Sequence, residues 1–87
     1  MINDNNEEIK VGQVWYDRIF GTTLVVISLP DEREVHFQDK VSVINREGGV
    51  GFFGLNGIKW RMCQLLAEYP TWQEAVNSKE FNINSMK

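Results

Sequence analysis

The chain is 87 residues long, 43% hydrophobic and 24% charged, with a net charge of −3. That length has room for one hydrophobic core, and the composition excludes wholesale disorder. The longest apolar run, residues 24–27, falls far short of the ~18–20 residues that span a bilayer, and the bases up to residue 61 stand singly rather than in the clusters that give strong non-specific nucleic-acid binding.

The opening residues MINDNNEEIK are polar and acidic, unlike a secretory signal. Residues 1–9 carry Asp4, Glu7 and Glu8 and no base, so most of the net acidity sits there. They read as a flexible lead with little to bury. With no export signal and a single cysteine, Cys63, a cytoplasmic location is expected.

Residues 10–17 have the β-branched and aromatic content of a strand, with Gln13, Trp15 and Asp17 on one face and Val14 and Tyr16 on the other. Residues 18–22 read as a turn in which Gly21 accommodates positive φ. Phe20 in that turn must fold back onto the core or stay exposed. Residues 23–29 form the strongest predicted strand. It lacks polar alternation across Leu24–Ile27, so it is expected at the centre, covered on both faces. The turn at residues 30–33 starts with Pro30, and residues 34–39 then alternate with Val35 and Phe37 inward. Residues 40–45 continue as a strand carrying Val41 and Val43 on one face.

Residues 46–57 contain five glycines in twelve positions, which predicts loops rather than regular structure. Asn56-Gly57 is a hairpin signal, and residues 58–62 alternate as a last short strand. In residues 63–69 the spacing of Met62, Leu65, Leu66 and Tyr69 predicts a short helix ended by Pro70. Thr71-Trp72-Gln73-Glu74 matches a capping box, which predicts a second helix over residues 72–78 with Trp72, Ala75 and Val76 inward. Phe81 is expected to pack just after it, and residues 82–87 to fray. The folded domain is thus expected over residues 10–81.

The opening Gly12-Gln13-Val14-Trp15-x-Asp17, the strand through Val25-Val26-Ile27 and the pair Val35-x-Phe37 resemble small SH3-like barrel domains of short prokaryotic and phage proteins. The resemblance runs over residues 10–69. It implies a mainly β fold: a barrel of about five antiparallel strands, here with a short helix and a C-terminal helix. It also implies binding of a ligand, peptide or nucleic acid rather than catalysis. The glycine-rich stretch and the capped second helix depart from the minimal pattern.

Catalytic and metal motifs are not visible. His36 and Cys63 stand 27 positions apart with no third ligand or orienting group. Gly48-Gly49-Val50-Gly51 lacks the Lys-Ser/Thr of a phosphate-binding loop. Glu32, Glu34 and Asp39 read as a solvated turn and strand edge, and Cys63 as a small buried hydrophobe. The expectation is a non-enzyme with no cofactor and no metal.

The chain is rich in aromatics, several of them in predicted loops. Exposed rings beside arginines suit protein interfaces and also the stacking of unpaired bases. The candidate binding residues are Trp15, Tyr16, Arg18, Phe20, Arg46, Phe52, Phe53 and Arg61. The leading expectation is a protein-binding module, of the accessory kind carried by phages and mobile elements, acting on a host protein. The alternatives are a single-stranded nucleic-acid binder and a self-associating structural subunit.

Overall fold

The computed structural model describes residues 8–29, 40–54 and 63–83. Its elements are β1 (Gln13–Asp17), β2 (Thr22–Ser28), β3 (Lys40–Asn45), β4 (Val50–Gly54), β5 (Cys63–Glu68), α1 (Trp72–Val76) and α2 (Lys79–Ile83). The strands form one antiparallel sheet in the order β4-β3-β2-β1-β5. The mainly β class and the five antiparallel strands are as expected. The sheet is not closed, however: β4 and β5 are its two edges, and they do not pair with each other among the described residues.

β2 lies at the centre, as its unbroken apolar run predicts. Leu24 and Val26 enter one core cluster with Trp15, Val41, Val43 and Phe53. Val25 enters a second cluster on the opposite face, with Val14, Ala75 and Phe81. Successive side chains of a strand point to opposite faces, so a strand apolar at every position needs cover on both. The helices supply that cover on one face. Ala75 and Phe81 are buried there, with Trp72 and Val76 packed around them.

Ile9 is fully buried in the first cluster, so the folded part starts before residue 10. Residues 1–7 of the expected acidic lead lie outside the described residues. Gly12 fixes where β1 begins. Its φ is +94°, its N–H donates to the Val26 carbonyl, and its own carbonyl accepts from the Tyr69 N–H. A Cβ on Gly12 would lie 2.2 Å from the Tyr69 carbonyl oxygen. Only glycine tolerates both that dihedral and that approach.

Two stretches differ from expectation. Residues 46–57 do not form one long loop. The Asn45 side-chain oxygen accepts from the Gly49 N–H at 2.8 Å, and the Asn45 N–H donates to the Gly49 carbonyl at 2.9 Å. This closes a tight turn and lets Val50–Gly54 pair with β3 along its length. Asn56-Gly57 and the expected strands at residues 34–39 and 58–62 lie outside the described residues.

The second difference is β5, a strand where apolar spacing predicts a helix. It pairs with β1, and the register shifts between Trp15↔Leu65 and Val14↔Ala67, which leaves Leu66 as an extra residue. A bulge of this kind breaks the two-residue period. The apolar positions before and after it then fall three and four apart, which imitates a helical stripe. The open edge of β1 offers a ladder of hydrogen bonds that a helix at this position would leave unmade.

Thr71 is the N-cap, as the capping-box match predicts, with Glu74 reaching back to its hydroxyl rather than to its backbone N–H. The Thr71 hydroxyl accepts from the Glu74 N–H at 3.2 Å and donates to the Glu74 carboxylate at 3.3 Å. The helix it starts is shorter than expected, and Ser78 begins a second one. Phe81 lies inside α2, and Asn82, expected to fray, donates to the Val76 and Ser78 carbonyls. The Thr23 hydroxyl donates to the Phe81 carbonyl at 2.6 Å and ties α2 to the central strand. No helix among the described residues is long and apolar enough to cross a membrane.

Candidate functional site

The face of the sheet opposite the helices carries an open groove of about 380 Å³ at one end. It lies over the ends of β1–β4, between the β1–β2 turn and the β3–β4 turn. Strand alternation and register place its floor. Asp17 pairs with Thr22, Leu24 with Asn45, and Val43 with Gly51, and all six line the groove. Phe53 closes its inner end and Phe20 stands at its mouth, while Val50 adds to the lining from a position whose side chain shares the face of Ile44.

The turn that presents Phe20 is built by a buried acid. Asp17 is 4% exposed, and its carboxylate accepts from the Ile19 N–H at 2.8 Å and the Phe20 N–H at 3.4 Å. The Gly21 N–H donates to the Asp17 carbonyl, and Gly21 takes φ +66°, as the turn reading requires. With the backbone bonded inward, the Ile19 and Phe20 side chains project out, 56% and 72% exposed. Gly51 keeps the groove open, because a Cβ there would meet nothing within 4 Å.

The polar character of the groove is one-sided. Asp17 and Glu47 line it, and among the described residues no Lys or Arg does. The Thr22 hydroxyl oxygen is buried without a hydrogen-bond partner. Buried polar atoms are ordinarily satisfied, so this one is unusual. The Asn45 oxygen is already taken by the β3–β4 turn.

The structure separates the candidate binding residues. Trp15 is a correction: it is 1% exposed in the core, and its indole N–H donates to the Gln13 side-chain oxygen at 3.1 Å, so it has no free face for a partner. Phe53 is largely buried and forms groove wall. Phe20 is exposed at the mouth, and Arg18 is exposed in the same turn. Tyr16 and Arg46 are half-buried. Phe52 is 59% exposed, but it pairs with Ser42 on the helix-bearing face, not in the groove. Arg61 lies outside the described residues. Thus Phe20 and Phe53 come together at one site, while Phe52 does not join them.

Sequence reasoning missed Asp17, Thr22, Glu47, Val50 and Gly51 as groove residues. Asp17 had a usable signal, since an aspartate just before a turn commonly bonds the next backbone amides. The others had none, because cross-strand register alone brings them together. Cys63 is buried in the core, as expected. Among the described residues no group of three or more His, Cys, Asp and Glu side chains could hold a metal ion.

Comparison with protein-family models, with curated proteins and with solved structures finds no match to this chain. Its function therefore rests on the geometry.

Proposed function

We propose that the chain is a non-enzymatic protein-binding module that uses the groove between its two hairpin turns. The observation that carries this reading is an apolar-floored groove whose mouth holds Phe20, 72% exposed, with Ile19 exposed beside it in the same turn. Clustered exposed apolar side chains around a concave site favour a protein partner. The SH3-like barrel is part of the same reading. It is supported by the meander β1–β4 and by the return of β5 to β1.

A single-stranded nucleic-acid partner fits less well. Trp15 is unavailable for stacking, and the two groove carboxylates repel phosphate. The test uses Gly51→Val, which fills the groove without touching the core. Affinity capture with the wild-type chain should retain a protein that the Gly51→Val chain loses. Identical capture by both chains refutes the groove as the binding site.

Self-association is a second reading, favoured by a separate observation. β4 is an edge strand among the described strands, and its Val50 and Phe52 are each 59% exposed. Exposed apolar edges invite strand pairing between copies. Sedimentation velocity over a wide concentration range decides it, and a monomer at high concentration removes this reading.

A further inference from the structure

The groove's chemistry narrows what it accepts, if it is the binding site proposed above. Its floor is apolar, formed by Leu24, Val43 and Phe53. Its charged groups are both acceptors. Asp17 and Glu47 bring two carboxylates, and neither forms an ion pair among the described residues. One Asp17 oxygen serves the β1–β2 turn, which leaves the other for a ligand. The buried Thr22 oxygen lacks a partner and accepts as readily as it donates.

We infer that the groove takes a lysine or arginine side chain presented by an apolar segment of a partner protein. Such a side chain lays its methylene stem along apolar surface and keeps its charge at the polar end. An ammonium or guanidinium group only donates, so it matches the two carboxylates. Phe20 and Phe53 in the lining are of a residue type that attracts cations. An anionic group would face two carboxylates and find no base among the described residues of the lining. The exposed Phe20 at the mouth, with Ile19 exposed beside it, argues for a peptide over a free small amine. A small amine would leave that rim uncovered, whereas apolar neighbours of the basic residue would bury it.

The test is an NMR titration of the whole chain with four capped tripeptides: acetyl-Leu-X-Leu-amide, where X is lysine, arginine, norleucine or glutamate. The lysine and arginine peptides should shift the backbone amides of Thr22, Asn45, Gly49 and Gly51. They should bind about tenfold more tightly than the norleucine peptide, a difference of about 1.4 kcal/mol. Glu47→Gln should narrow that preference, added salt should weaken it, and Gly51→Val should abolish the shifts. Norleucine binding in the groove as tightly as lysine overturns the basic ligand but leaves a protein-binding groove in place. Preference for the glutamate peptide overturns it too. If none of the four peptides moves these amides, both readings fall. If the amides move with protein concentration alone, the occupant is a second copy and the basic ligand is rejected.

Discussion

Gln13 shows how much one buried polar side chain organises. It is 1% exposed, and all its hydrogen-bonding capacity is used. Its amide group donates to the Glu8 carbonyl at 2.9 Å and to the Glu68 carboxylate at 2.7 Å. Its oxygen accepts from the Lys10 N–H at 3.0 Å and the Trp15 indole at 3.1 Å. One residue therefore joins the chain entering β1, the core tryptophan and the end of β5. Gln13→Leu conserves bulk but strands those partners, so a loss of about 2–4 kcal/mol is expected in urea unfolding. An unchanged midpoint would show that the network contributes little. The sequence places Gln13 on the Trp15 face, but its partner Glu68 is 55 positions away. Only the pairing of β5 with β1 brings Glu68 there.

At the scale of elements, the docking of α2 responds to pH. Tyr69, just after β5, donates from its hydroxyl to the Glu80 carboxylate in α2. That bond raises the tyrosine pKa, with a smaller contribution from desolvation, and the same bond holds the Glu80 carboxyl below its ordinary value. The Glu80 contribution is present above the ordinary carboxylate value of 4.5 and is lost as pH falls through the lowered folded value. The Tyr69 contribution is present below the ordinary phenol value of 10.0 and is lost as pH rises through the raised folded value. Tyr69→Phe should therefore cost stability near neutral pH and nothing above the tyrosine titration. Thermal unfolding of both proteins across the alkaline range checks this, and a constant difference between them would contradict it. Local signals served unevenly among these elements. The Thr71–Glu74 box marks a helix start because all its atoms lie within one turn. The β5 stretch was misread because a bulge disguises a strand's period, and because the edge of β1 that recruits it is distant in sequence.

For the molecule as a whole, the groove and the first core cluster lie on the same face and make opposite demands on one strand. Phe53 of β4 must be large enough to close the core, while Gly51, two residues earlier on that face, must be small enough to leave the groove open. Glycine inside a strand costs roughly 0.5–1 kcal/mol. Gly51→Val should therefore raise the melting temperature by about 2–8 °C as it fills the groove. A large fall would mean that Gly51 serves the fold rather than a ligand. The amino-acid sequence by itself determined the mainly β class, the central place of β2, the two-faced core and the capped helix. Each depends on periods and residue types within a few neighbouring positions. Tertiary structure alone decided that β5 is a strand, that Trp15 is sealed inside, and that Asp17, Thr22, Glu47 and Gly51 share a groove with Phe20. Those outcomes depend on register between strands, where a shift of one residue moves every side chain to the other face.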